Sequence, residues 1–172
     1  MDALRAVGGF DDDFFAYCED TDLGLRLLRA GYRTVAAPGA VVIHRYSQTA
    51  GAYSLRKIFW VERNHYWVAL KNFPVLLLLL LPLATLWRIL VQTYAVLFTK
   101  QLDGFIEQSG AFEALRTLVR ANIAALSGVP VMWRKRRQGY ACRRIGDLEM
   151  LRMLMKFRIS LFEIITGEKR AR

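Results

Sequence analysis

The feature that most constrains the fold is an apolar segment, residues 75–98, in the middle of a basic chain. As a helix this segment is long enough to span a bilayer. Pro82 interrupts it, and Arg88 and Gln92 lie in its second half, where they disfavour a simple span. Basic residues flank both ends, so the positive-inside rule assigns no orientation. The sequence leaves two alternatives: a transmembrane helix, or a kinked helix pair lying in the cytoplasmic leaflet.

The overall charge indicates a partner of opposite sign. The 172 residues carry a net charge of +10, and 54% of them are hydrophobic. Apolar and basic character together predict binding to an anionic membrane surface, at the cytoplasmic face of the plasma membrane. Nucleic acid is the other usual partner of a basic chain, but no zinc-ligand spacing, RNA-binding aromatic signature or clear helix-turn-helix is present, so none is predicted. The two cysteines form no C-x-x-C pair, which favours a reducing compartment.

The chain divides into three segments, residues 1–52, 53–99 and 100–172. In the first, the spacing of leucines predicts a helix over 20–30, which Gly31 would cap. Two strands are predicted after it, over 33–37 and 40–44, with Pro38 and Gly39 between them as a turn. Residues 45–51 are small and polar, so the pattern predicts a loop there.

The other two segments are predicted to be helical. A helix over 53–72 leads into the apolar segment, and another over 112–126 should end before Pro130. An arginine- and lysine-rich run follows, and then a helix over 145–165 with one apolar face. Basic amphipathic helices of this kind are also typical of a non-enzymatic protein that binds a membrane surface, which is the main alternative to an enzyme.

Chemically active side chains are concentrated in residues 8–44. Glu19, Asp20 and Asp22 open the predicted helix over 20–30, and His44 ends the second predicted strand. Carboxylates and an imidazole that converge can hold a divalent ion and supply a general base. Acidic residues are also ordinary at a helix start, where they favour the positive end of the dipole. Phe15 and Tyr17 precede the acidic cluster and could pack in a core or stack on a sugar ring.

An ordered set of short motifs resembles family 2 glycosyltransferases of the bacterial rhamnosyltransferase type. Any one of these motifs alone is unspecific, but the set in this order is fairly specific for the family. The resemblance covers residues 3–75, and its motifs are Gly8-Gly9-Phe10-Asp11, Phe14-Phe15-Ala16-Tyr17-Cys18-Glu19-Asp20-Thr21-Asp22-Leu23, Arg29-Ala30-Gly31-Tyr32-Arg33, Glu62-Arg63-Asn64 and Lys71-Asn72-Phe73-Pro74.

This resemblance implies a site and a reaction. It implies that Asp20 is the general base on the acceptor side, that Glu19 and Asp22 shape and polarise the site, and that His44 is a metal ligand. It further implies a divalent ion, Mg²⁺ or Mn²⁺, and a loop that closes over the donor diphosphate through Arg45, Ser47 and Gln48. The donor would be a nucleotide-sugar and the acceptor a lipid-linked or cell-envelope glycan, with inversion at the anomeric carbon.

The same resemblance implies an α/β fold, the C-terminal part of a Rossmann-like GT-A domain, followed by mostly α-helical membrane-associated segments. In this family a nucleotide-binding half and an Asp-x-Asp motif precede the Gly-Gly-Phe-Asp block. Only seven residues precede Gly8 here. We therefore expect the 172-residue chain to have little transferase activity by itself, because it lacks the donor-binding half.

Overall fold

The computed structural model describes residues 1–35, 37–43, 54–98 and 110–156, with backbone only for 91–98. Within these ranges every regular element is a helix. The α-helices are α1 (Asp2–Ala6), α2 (Glu19–Arg29), α3 (Leu55–Asn72), α4 (Val75–Phe98), α5 (Ala111–Ser127), α6 (Val129–Gln138) and α7 (Asp147–Lys156), with short 3₁₀ turns at Asp12–Phe14 and Gly139–Cys142.

The predicted α/β fold is wrong for the part of the chain that the structure describes, which contains no strand or sheet. Both predicted strand segments are irregular over 33–35 and 37–43. Val35, Val41, Val42 and Ile43 expose at least 79% of their surface. β-branched residues favour extended backbone, but a strand also needs a neighbour to satisfy its N–H and C=O groups. No described segment offers that pairing, so the local preference does not produce a sheet.

Helix α2 forms where the leucine spacing predicted it, within one residue at each end. It ends in a turn at Gly31, whose φ of +84° lies in the left-handed region that glycine adopts without strain. There the N–H groups of Gly31 and Tyr32 donate to the carbonyls of Leu28 and Leu27, which satisfies two carbonyls at the helix end. The predicted cap is therefore confirmed.

Helix α3 is the centre of the fold, because α2, α5 and α6 all pack against it. Its Trp67 and Val68 form the buried core with Phe14 from the first 3₁₀ turn and Met132 from α6. The rings of Phe14 and Trp67 meet edge to face at a centroid distance of 6.0 Å, an arrangement that adds to area burial. Ser54 begins α3 by accepting a hydrogen bond from the N–H of Arg56.

The junction between α5 and α6 is set by Gly128. A Cβ at this position would lie 2.5 Å from Cζ2 of Trp67, so only glycine allows the two helices to approach the indole ring. The same indole donates to the carbonyl of Ala125. Helix α5 ends at Ser127, before Pro130 as predicted, and Pro130 itself lies in the first turn of a second helix, α6. A proline is accommodated there because the first-turn N–H groups have no helical partner.

Helix α4 exposes apolar side chains along one face, among them Leu79, Leu83 and Trp87. Its Arg88 reaches back to α3, where Nη2 lies 2.6 Å from Oε2 of Glu62 and donates to the Tyr66 hydroxyl at 2.9 Å. The charge inside the apolar segment is thus compensated by α3. Within the described part of the chain, no helix has both the length and the apolar character needed to cross a membrane.

We predict that Gly128→Ala destabilises the protein, because the new methyl group must displace the Trp67 ring or part α5 from α3. Overpacking of this kind costs about 1–3 kcal/mol. Gly24→Ala is the matched control, since a Cβ there has open space inside α2 and the change should stabilise by roughly 0.5–1 kcal/mol. Denaturant unfolding of both variants measures the two effects. Equal stability of the two variants would contradict the close approach at Gly128.

Candidate functional site

The turn that leads into α2 has a strained backbone. Phe15, Tyr17 and Cys18 have φ values of 61°, 67° and 67°, which side-chain-bearing residues rarely adopt. Each such residue costs of the order of 1–3 kcal/mol and persists only where its surroundings hold it. The strained turn, residues 15–18, immediately precedes Glu19 and Asp20 at the start of α2.

Asn64 on α3 holds this strained turn in place. Its side chain is fully buried, and the two N–H groups of Nδ2 are shared among three carbonyls of the turn region, those of Phe14, Ala16 and Tyr17, at 2.9, 2.8 and 2.7 Å. The neighbouring Arg63 donates to Oδ1 of Asn64, which fixes the orientation of the amide, and also to the carbonyl of Phe14. An amide with converging acceptors can compensate the strain of the turn.

Three aromatic rings lie together beside the turn. Trp60 on α3 contacts Phe15 at a ring distance of 4.9 Å and lies near Tyr17 at 6.3 Å. The ammonium of Lys57 lies 6.0 Å from the centre of the Tyr17 ring. Phe15 remains 68% exposed, so this aromatic surface faces solvent. Flat aromatic faces of this kind present an apolar surface on which a ligand ring can stack.

Glu19 and Asp20 directly follow the strained turn and have different environments. Asp20 is exposed, and its Oδ1 accepts a 2.6 Å hydrogen bond from the N–H of Thr21. Glu19 is half-buried, and its Oε2 has no hydrogen-bond partner among the residues that the structure describes. Burial, with the charges of Asp20, Glu19 and Glu62, raises the pKa of the Cys18 thiol to about 11. The thiol is therefore protonated at neutral pH. The charges of Glu19, Asp20 and Glu62 all act on Cys18, so the surroundings of the thiol are negatively charged.

Asp22, by contrast, is fully buried in an ion network. Its Oδ2 accepts from Lys71 at 2.9 Å and from Arg26 at 2.8 Å, and its Oδ1 accepts from Asn72. Lys71 also contacts Asp11. The structure therefore brings Asp22 near the strained turn through α2, but its carboxylate oxygens contact protein groups.

The remaining predicted site residues, His44, Arg45, Ser47 and Gln48, lie outside the described residues, so their roles stay predictions. No cluster of three histidine, cysteine or carboxylate side chains suited to a metal ion occurs in the described ranges.

Sequence reasoning assigned no site role to Asn64, Trp60 and Glu62. All three lie on α3, more than 40 residues beyond the turn. Asn64 and Trp60 contact the turn, and the charge of Glu62 acts on Cys18. Asn64 and Glu62 belong to the Glu-Arg-Asn run that contributes to the family resemblance, which was the only signal for them. The ring contact of Trp60 had no local signal in the sequence.

The chain belongs to a known family. Residues 1–106 match the model of the family described as glycosyl transferase family group 2, which is more than half of the chain. This match confirms the family resemblance of residues 3–75.

Two curated relatives have the same printed name, N-acetylglucosaminyl-diphospho-decaprenol L-rhamnosyltransferase, and come from Mycobacterium tuberculosis strains CDC 1551 / Oshkosh and ATCC 25618 / H37Rv. Each is 47% identical over 49 residues, which is 28% of this chain. The matched region spans only 16% of the relatives' length. No solved structure matches the chain.

We predict that Asp11 gives the protein a pH-dependent stability. Burial alone would raise the pKa of Asp11, but hydrogen bonds from Lys135 and Lys71 lower it to about 2. An unfolded aspartate titrates near 3.9, so this contribution is present above about pH 4 and is lost as the pH falls toward 2. Asp11→Asn should lower the free energy of unfolding at pH 6 and flatten its decline between pH 4 and 2.

Denaturant unfolding at pH 6, 4 and 2 measures this effect. Asp2→Asn is the control, because the Asp2 side chain is fully exposed and its nearest cation, Arg5, is 3.8 Å away. An Asp11→Asn variant with the pH dependence of the unaltered protein would contradict the assignment.

Proposed function

We propose that the protein acts in glycosyl transfer, moving a sugar from a nucleotide-sugar donor to an acceptor hydroxyl with inversion. Membership of glycosyl transferase family group 2 supports the reaction class. The observation that carries the proposal is the arrangement at the start of α2. An accessible carboxylate, Asp20, and a half-buried one, Glu19, directly follow the turn whose Phe15 and Tyr17 pack with Trp60.

The acceptor that we propose is a sugar linked through a diphosphate to a polyprenyl lipid, and the transferred sugar is rhamnose or a related deoxysugar. Support comes from the printed name of the two relatives, which specifies a diphospho-decaprenol and a rhamnosyltransferase. An aromatic surface suits such an acceptor, because the apolar face of a pyranose ring can stack on Phe15 or Tyr17.

In this proposal Asp20 is the general base. Its carboxylate takes the proton from the acceptor hydroxyl while the hydroxyl oxygen forms a bond to the anomeric carbon of the donor. The bond from that carbon to the nucleoside diphosphate breaks on the opposite face, and the electron pair leaves with the diphosphate. A single displacement of this kind inverts the anomeric configuration. Glu19 and the strained turn that Asn64 holds would keep Asp20 in position.

The divalent ion and the donor loop remain proposals that rest on the resemblance alone. His44 would contribute to holding the ion, while Arg45, Ser47 and Gln48 would bind the donor diphosphate. When bound, Mg²⁺ or Mn²⁺ supplies positive charge that stabilises a leaving diphosphate.

We further propose that the protein attaches to the anionic cytoplasmic face of the plasma membrane through α4. The support is the exposed apolar surface of this helix, together with Trp133, Arg134 and Arg137, which are exposed on α6. An exposed apolar helix, in a protein that also exposes cations and a tryptophan, suits the boundary between headgroups and acyl chains.

We predict that Asp20→Asn abolishes most sugar transfer without unfolding the protein, because an amide cannot accept the hydroxyl proton. Loss of a general base lowers turnover by about 10²–10⁴-fold. Transfer should be measured in membranes of cells that carry the variant at the gene's own locus, with nucleotide-sugar donor and lipid-diphosphate acceptor supplied.

Asp12→Asn is the matched control for this experiment, because it makes the same chemical change at an exposed aspartate of the preceding 3₁₀ turn. Its turnover should stay within about twofold of the unaltered protein. If Asp20→Asn also kept near-normal turnover, the acidic cluster would be a helix start and not a catalytic site.

A second prediction concerns the membrane. The double variant Leu79→Asp/Leu83→Asp places two charges one turn apart on the exposed face of α4, and it should reduce co-sedimentation with anionic liposomes by at least about fivefold. Val41→Asp/Ile43→Asp is the control, since these residues are equally apolar and more exposed but lie outside α4. Equal loss of sedimentation in both double variants would argue against α4 as the attachment surface.

A further inference from the structure

A small cavity lies where the ends of α2 and α3 meet α6. Its volume is about 60 Å³, well above the roughly 10–15 Å³ that a single water molecule needs. None of its ten lining residues is acidic, and six are cations: Arg26, Arg29, Lys71, Lys135, Arg136 and Arg143. A cavity lined in this way is an electropositive space inside the fold.

Half of these cations are matched by carboxylates. Arg26, Lys71 and Lys135 make close ion pairs with Asp22, Asp11 and Asp13. Each carboxylate of this set therefore compensates a cation, and this side of the cavity is close to neutral.

The other three cations, Arg29, Arg136 and Arg143, share one carboxylate. Asp147 lies 2.7 Å from Arg29, 3.4 Å from Arg143 and 4.0 Å from Arg136. Three guanidinium groups around one carboxylate leave two positive charges unmatched among the described residues. Arg29 and Arg136 also donate to carbonyls at the C-terminal end of α3. The helix dipole there offsets the unmatched positive charge by only about half an elementary charge. We call Arg29, Arg136 and Arg143 the arginine cluster.

Arg136 supplies the second observation. Its side chain is only 1% exposed, and Nη1 donates to the carbonyls of Leu70 and Phe73. Its Nη2 is buried and lies 4.0 Å from Oδ2 of Asp147, too far for a hydrogen bond, and no atom of the described residues accepts one from it. A buried guanidinium N–H without an acceptor is costly. The pKa of Arg29 is lowered by burial and by the nearby positive charge of Arg143, although the negative charge of Asp147 raises it.

We propose that the arginine cluster binds a phosphate-class oxyanion in this cavity. A tetrahedral dianion would match the two unpaired charges and would accept the hydrogen bond that Nη2 of Arg136 does not make within the protein. Guanidinium groups suit this role because their planar N–H forks pair with two phosphate oxygens at once. Nine residues of α2, about 14 Å of helical rise, separate Arg29 from Asp20, so this is a different site from the proposed catalytic one.

The phosphate could belong to free inorganic phosphate, to a nucleoside diphosphate or to a lipid diphosphate. The experiment titrates the full chain, in a non-ionic detergent, with inorganic phosphate by isothermal calorimetry at constant ionic strength. We expect saturable binding at one site per chain and a rise in melting temperature with phosphate over chloride. Uridine diphosphate and geranyl diphosphate are then used as competitors, and the tighter one identifies the source of the phosphate.

Arg143→Gln is the informative variant, because Arg29 and Arg136 also hold the end of α3 and their loss could unfold the protein. It should weaken phosphate binding by at least about tenfold. Arg120→Gln is the matched control, an exposed arginine on α5 outside the cavity, and it should bind phosphate as the unaltered protein does.

Absence of saturable phosphate binding to the unaltered chain would overturn the proposal, and so would equal weakening in the two variants. The melting-temperature rise in the unaltered chain tests the site even if Arg143→Gln does not fold. The Asp20→Asn variant should bind phosphate as the unaltered chain does, even though it loses transfer activity. The proposed catalytic role of Asp20 and the proposed phosphate site can therefore fail independently.

Discussion

The structure depends on the buried ion network around Lys71. This single ammonium contacts Asp22 of α2 and Asp11 of the loop before it, while Lys135 of α6 reaches the same Asp11. Four separate parts of the chain are therefore fixed to one another by charge. Buried ion pairs are poor contributors to net stability, but removal of one partner leaves an uncompensated charge and is strongly destabilising. The network therefore specifies how the helices meet more than it adds to their stability, and the apolar core of Phe14, Trp67, Val68 and Met132 forms around it.

The local elements of this fold could be predicted from the sequence, whereas its long-range contacts could not. The ends of three predicted helices, those over 20–30, 53–72 and 112–126, lie within two residues of the observed ends. The predicted glycine cap of the first helix is also observed. The strands over 33–37 and 40–44 are a prediction from local sequence, and an extended segment becomes part of a sheet only when a partner strand is present. Pro130 illustrates the same limit, because a proline ends one helix or begins the next depending on its context.

The candidate site could be predicted only in part for the same reason. Glu19 and Asp20 were identified because their motif is contiguous in sequence. The residues that shape their surroundings come from α3, and the backbone strain at Phe15, Tyr17 and Cys18 has no sequence signal, since none of the three is glycine. That strain has a structural consequence: a turn that prefers another conformation is held by the side chain of Asn64. The position of Glu19 and Asp20 therefore depends on α3, which holds the preceding turn, as much as on α2, which carries them.

The basic run of α6 is divided between the interior of the protein and its surface. Lys135 and Arg136 point into the protein, where they meet Asp11, Asp13 and the carbonyls at the end of α3. Arg134 and Arg137 are exposed on the opposite side. In sequence these four residues form a single cationic patch, and composition alone would assign all of them to an anionic surface. A helix turns 100° per residue, so adjacent charges are divided between the interior and the exterior. The net positive charge inside the fold therefore depends on how many carboxylates pair with the buried cations. Arg29, Arg136 and Arg143 have one carboxylate between them, that of Asp147.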